Sequence, residues 1–170
     1  MNEKELVCLA KSGDKTAFCA LYSIYKDRLY RYAFYRLGNA EDALDAVSDT
    51  IVSAYERIKE LRKAEAFSAW IFKIHRITCS NYVKYQIKQR ETSNIEDYSN
   101  STDLSHKMKN VTSELNEALG ILTEEEKEIV LLSVVSGFTS KEIAKISDLT
   151  AGGVRSKLSR SLAKMRNFLE

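Results

Sequence analysis

Between Lys15 and Leu37, apolar side chains recur every three or four residues: Phe18, Leu21, Tyr22, Tyr25, Leu29, Tyr32, Ala33 and Leu37. That spacing puts them on one face of a helix and rules out a strand, whose faces alternate every second residue. The pattern repeats along the chain. From about Glu41, Leu44, Val47, Ile51, Ala54, Tyr55 and Ile58 form a second stripe. From about Ala64 to Arg90, Phe67, Trp70, Ile71, Ile74, Ile77, Thr78 and Tyr82 form a third. The chain has no proline to interrupt them. No alternating segment of substance competes, so the expected fold class is all-α.

Helix punctuation supports the same division. Ser12-Gly13-Asp14 ends a short first helix over 3–10, and Gly38-Asn39 ends the second. Thr123 with Glu126, and Thr139 with Glu142, have the spacing of capping boxes. The first opens a helix running through Ile129, Val130, Leu132 and Val135 to Gly137. A further helix is expected over about Thr112–Ile121. Between 91 and 107 the stretch ETSNIEDYSNSTDLSHK breaks every periodicity and is rich in Ser, Asn, Thr and Asp, which reads as a flexible linker. The expected organisation is therefore two small helical domains, 1–90 and 112–170, joined by an acidic linker, 91–111. Such a linker leaves their relative arrangement open.

The net charge of +2 conceals strong segregation. Residues 1–56 carry a net −2, 57–90 a net +7, 91–106 a net −4 and 107–170 a net +1. Two basic patches thus flank an acidic segment, a distribution suited to nucleic acid. No apolar run approaches the roughly 20 residues of a membrane span, and the N-terminus lacks the apolar core of a secretion signal. Cys8, Cys19 and Cys79 are an odd number without metal or redox spacing. A cytoplasmic, reduced protein is expected, without cofactor or metal and without membrane insertion.

In TSKEIAKISDLTAGGVRSKLSR, Thr139 to Arg160, two capped helices meet at a corner where Asp148 suits a left-handed backbone. A helix-turn-helix inserts its second helix into the major groove, N-terminal residues first. With Val154, Leu158 and Leu162 facing inward, Ala151, Gly152, Arg155, Ser156, Ser159 and Arg160 face outward. Arg155 suits a guanine edge, and Lys157, Arg160 and Lys164 suit phosphates. The plain alternative is a solvated basic helix. In residues 66–90, Phe67, Phe72, Tyr82 and Tyr85 alternate with Lys73, Arg76, Lys84, Lys88 and Arg90. Rings among cations suit unstacked bases, although most of these aromatics also sit at core spacing. The acids of 41–49 favour a helix N-terminus and form either a solvated face or a protein-docking surface. No nucleophile, ligand set or glycine-rich phosphate loop accompanies them, so catalysis is not expected.

Three stretches carry a resemblance: AFCALYSIYKDRLYRYAFYRLGNAEDALDAVSDTIVSAY, then FSAWIFKIHR, then LTEEEKEIVLLSVVSGFTSKEIAKISDLTAGGVRSKLSRSLAKMRNFL. In this order the chain resembles a bacterial RNA polymerase sigma factor of the extracytoplasmic-function (ECF) type, with the family's regions two and four. The resemblance implies an alternative sigma factor that binds core RNA polymerase and directs promoter recognition, melting and initiation. The family's acidic motif falls on Glu41, Asp42, Asp45, Val47, Ser48 and Asp49, which would grip the clamp of the β′ subunit. The minus-ten contacts fall on Lys63, Phe67, Lys73, Arg76, Asn81, Lys84 and Lys88. The minus-thirty-five contacts fall on Thr150, Ala151, Gly152, Gly153, Arg155, Ser156, Lys157, Ser159 and Arg160. Further implied partners are the β flap, promoter DNA and an anti-sigma factor. Ser48 stands where the family usually has Gln, Ile77 where it has Asn, Asn81 where it has Asp, and Gly153 where it has a hydroxyl-bearing residue. The alternative reading is a stand-alone helix-turn-helix regulator that binds DNA as a dimer.

Overall fold

The computed structural model describes residues 1–92 and 106–170, with side chains placed in 1–92 and 113–170. Among these residues every regular element is a helix and there is no strand. The central part of the expected linker, 93–105, lies outside the described residues.

The helices are α1 Glu3–Lys11, α2 Lys15–Leu37, α3 Ala40–Arg57, α4 Phe67–Thr92, α5 His106–Gly120, α6 Glu124–Val130, α7 Ser140–Ser147 and α8 Ala151–Leu169. Two short 3-10 turns, Ile58–Glu60 and Ala64–Ala66, carry the chain from α3 to α4. A π-helical turn, Leu131–Val135, continues α6. Local chemistry sets most of the boundaries. Asn2, Thr123 and Thr139 each form a reciprocal capping box. Asp14, Asn39 and Thr150 accept from the backbone three residues on. Gly38 closes α2 with φ 80°, a conformation costly for a residue with a Cβ. Asp148 takes the expected left-handed corner at φ 57°.

Several expectations shift. The stretch that leads into α4 is a separate 3-10 turn, so α4 starts at Phe67 rather than near Ala64. α5 starts six residues before the expected Thr112. The stripes also rotate. Leu44, Tyr55 and Ile77, assigned inward by periodicity, are exposed. On α8 the buried positions are Val154, Ser161 and Met165, with Leu158 partly covered and Leu162 out in solvent. Strict four-residue steps drift around a helix, and position 162 stands ~80° from position 154. Alternating steps of four and three hold one face. Ser161 tolerates burial because its hydroxyl reaches Glu126 and the carbonyl of Lys157.

α1 to α4 wrap around Leu21, Leu29, Tyr32, Phe67 and Ile71; α6 to α8 close over Ile129, Leu132, Ile143 and Val154. The two sets are not separate. α4 packs against α7, and α2 against the π-helical turn. Phe72 of α4 meets Phe138 edge-on with ring centroids 4.8 Å apart. One continuous buried cluster runs through both.

Candidate functional site

Three charged surfaces stand on this scaffold. The first is the outer face of α3. Glu41, Asp45 and Ser48 are exposed, and Leu44 and Val52 lie bare beside them at 59% and 57% exposure. Acids interleaved with apolar groups form a face that covers well with a partner and poorly with water. The other members of the motif are already engaged. Asp42 accepts from Asn39 Nδ2 at 2.9 Å and from Gln86 Nε2 at 2.7 Å. Asp49 accepts from the Tyr82 hydroxyl at 2.6 Å. Burial, and after it the bond to Asp49, pushes the Tyr82 phenol up, so it remains a protonated donor. Val47 is 5% exposed and packs in the core, so it presents no side chain to a partner. Tyr82 and Gln86 hold the acidic face against α4; from sequence Tyr82 reads only as part of the inward stripe and as one of the rings among cations, and Gln86 has no role. Nothing local signals a bond across 33 or 44 residues.

The second surface is α4, and it divides. Asn81, Lys84 and Lys88 are exposed at four- and three-residue spacing, with Ile77 and Tyr85 alongside. Lys63 is exposed just before the helix. Lys73 and Arg76 are engaged within the molecule. Lys73 Nζ lies 3.1 Å from Asp148 Oδ1. Arg76 Nε donates to the Ile146 carbonyl at 3.1 Å and pairs with Glu128 at 3.4 Å. Phe67 corrects the expectation drawn for it. It is 1% exposed, edge-on to Tyr25 at 5.3 Å, and offers no ring for a base to stack on. Tyr85, 61% exposed, is the ring that α4 presents.

The third surface is the start of α8. Thr150 Oγ1 accepts from the Gly153 amide at 3.0 Å, capping the helix. Arg155, Ser156, Ser159 and Arg160 line one shallow open depression. Ala151, Gly152 and Gly153 form the first turn beside it. Lys157 turns back to Glu125 of α6, and Lys164 pairs with Glu126 at 2.9 Å. Lys164, then the Thr123 amide, hold the Glu126 carboxyl down to about 2. The outward cations in the first half of this helix are thus Arg155 and Arg160, while Lys157 and Lys164 brace α6.

Two family profiles match the chain. The profile of Sigma-70 region 2 matches residues 21–88, and that of Sigma-70, region 4 matches residues 112–165. The chain is 28% identical to the ECF RNA polymerase sigma-E factor of Haemophilus influenzae, over 100% of this chain and 96% of that one. It is 29% identical to the RNA polymerase sigma factor SigV of Bacillus subtilis, over 92% and 93%. Among solved structures, CnrH in complex with the cytosolic domain of CnrY shares the fold with TM-score 0.79, 22% identity and coverage of 98% and 96%. The sigma factor RpoE of Bartonella quintana, in complex with the anti-sigma factor NepR, does so with TM-score 0.69, 23% identity and coverage of 89% and 96%. With both regions matched in order and full-length relatives of one kind, the chain belongs to the sigma-70 family and is an alternative sigma factor of the ECF type, directing transcription initiation.

Proposed function

We propose that the chain joins core RNA polymerase through the outer face of α3 and brings it to a promoter through α4 and α8. The observation that carries this reading is the presence of three distinct faces on one small chain: acidic and apolar on α3, basic with an exposed ring on α4, and a capped basic helix start on α8. Glu41, Leu44, Asp45 and Ser48 would meet the β′ clamp. Lys63, Asn81, Lys84, Tyr85 and Lys88 would hold the minus-ten element, with Lys73 and Arg76 added once they are freed. Arg155, Ser156, Ser159 and Arg160 would read the minus-thirty-five element, with the β flap holding this region in place. The working division is 1–90, linker 91–111 and 112–170. The protein would act in the cytoplasm and carry out no bond chemistry, which the polymerase supplies. The complexes with CnrY and NepR described for its structural neighbours support a further partner here, an anti-sigma factor.

Reconstitution with purified core polymerase tests the reading. Transcripts starting at defined genomic promoters, dependent on this chain, are expected. Absence of core binding together with a dimeric, polymerase-independent shift of duplex DNA would instead establish the stand-alone regulator.

A further inference from the structure

The end of α2, the second half of α4, the end of α5 and the start of α6 line a cleft of about 340 Å³. None of its charged residues stands on the three surfaces described above. Arg36, Arg90 and Lys127 line it, with Glu124 as the acid among them, so positive charge is in excess by two. Arg36 is answered by Glu128 at 3.8 Å. The other two cations are not answered. Lys127 Nζ donates to the Arg36 carbonyl at 3.2 Å and, among the described residues, pairs with no carboxylate. Arg90, exposed at the mouth, forms no hydrogen bond or ion pair among the described residues. Burial lowers the pKa of Lys127; Glu124 opposes this, while Arg36 and Arg90 act in the same direction as burial. An unpaired charge withdrawn from water is costly, and the chain itself supplies no anion for this one.

We infer that the cleft is a binding site for a small phosphate-bearing molecule, with Arg90 and Lys127 holding the phosphate oxygens. The guanidinium fork takes two phosphate oxygens at once, and the ammonium adds a compact point charge. Asn116 lines the same cleft, and its amide makes no hydrogen bond among the described residues, so it offers a neutral donor. The half-buried ring of Tyr35 gives the wall an apolar part for an organic remainder to lie on. The volume falls at the lower end of the roughly 300–1,000 Å³ of small-molecule sites, enough for a phosphate ester as well as for the free anion.

Thermal unfolding and calorimetric titration of the full chain test the site, with inorganic phosphate and adenosine monophosphate as probes and adenosine as the control without phosphate. Both probes are expected to bind saturably and to raise the melting temperature with concentration, since a ligand of the folded state stabilises it by mass action. Adenosine is expected to do neither. Equal affinity for the two probes would assign free phosphate as the ligand, and tighter binding of the ester a phosphorylated small molecule; both support the site. Arg90→Gln removes an exposed, unpaired side chain and leaves the fold intact, and it is expected to weaken phosphate binding about tenfold or more. Lys127→Gln is expected to do the same. Absence of saturable phosphate binding would overturn the inference. So would unchanged affinity in both variants, or an equal rise in melting temperature with chloride at matched ionic strength. Displacement of adenosine monophosphate by a mixed-sequence single-stranded oligonucleotide would assign these cations to nucleic acid and also overturn it. The measurements use no polymerase and no promoter, so their failure leaves the promoter reading standing, and failure of the reconstituted transcription leaves the cleft standing.

Discussion

Gly153 is the third residue of α8, and a Cβ built there would lie 2.9 Å from Thr150 Oγ1. That oxygen is the helix cap. In sequence the missing side chain looked like a matter for the DNA, whereas the structure places its first consequence inside the molecule. Gly153→Thr is expected to displace the cap and cost about 1 kcal/mol, read as a fall of about 2–4 °C in melting temperature. An unchanged melting temperature with altered promoter preference would return the residue to DNA reading. His75 makes a second prediction at this scale. It is fully buried; the Leu29 carbonyl can only accept, so Nε2 carries the proton (2.7 Å) and the Thr50 hydroxyl lies 2.7 Å from Nδ1. Burial lowers its pKa from 6.5 to about 4, against the opposing effect of the Leu29 bond. Between those values the unfolded chain binds the extra proton and the folded chain does not. Stability is therefore full above about pH 6.5 and falls as pH drops toward 4, by about 3 kcal/mol. Urea unfolding at pH 7 and pH 4.5 checks this, and the His75→Gln variant should lose that part of the slope.

At the scale of elements, α3 and α4 act as a pair. α4 already holds Asp42 and Asp49 through Gln86 and Tyr82, which leaves Asp45 as the outward carboxylate at the middle of the motif. Asp45→Arg is expected to weaken core-polymerase binding by about tenfold or more with no change in melting temperature, since the side chain is exposed. Tyr82→Phe is expected to have a smaller effect on the same binding assay, because it only unfixes Asp49. The α6–α8 pair responds to acid. The Glu126 carboxyl is held near 2, so its contribution is present above about pH 4.5 and is lost as pH falls through 2. Capping boxes, the Gly38 stop and the Asp148 corner were legible from local sequence because each is a bond within a few residues. The rotation of the α8 stripe was not. Ser161 reads as a surface residue until Glu126 is known to stand above it.

The whole molecule is held closed by charges as well as by its apolar core. Glu128 faces Arg36 and Arg76, and Arg36 also donates to Tyr32, Ser80 and the carbonyl of Arg76. Removing one member of a buried ionic group leaves the rest uncompensated, so Glu128→Ala is expected to cost about 3–5 kcal/mol, measured by denaturant unfolding. Glu128 read in sequence as one more acid of a capped helix. Its burial follows from α2 and α4 meeting α6 and α7, which no local pattern encodes.

Helix content, most boundaries, the segregation of charge and the three faces came from sequence, because periodicity, caps and local charge act over one or two turns. The tertiary structure decided which members of each face are available. It withdrew Phe67 and Val47 into the core, tied Asp42 and Asp49 to α4, turned Lys157 back to α6, and joined Lys73 and Arg76 to the α6–α8 region. Each of these depends on the approach of helices far apart in the chain, and a side chain's availability is set by what lands on it.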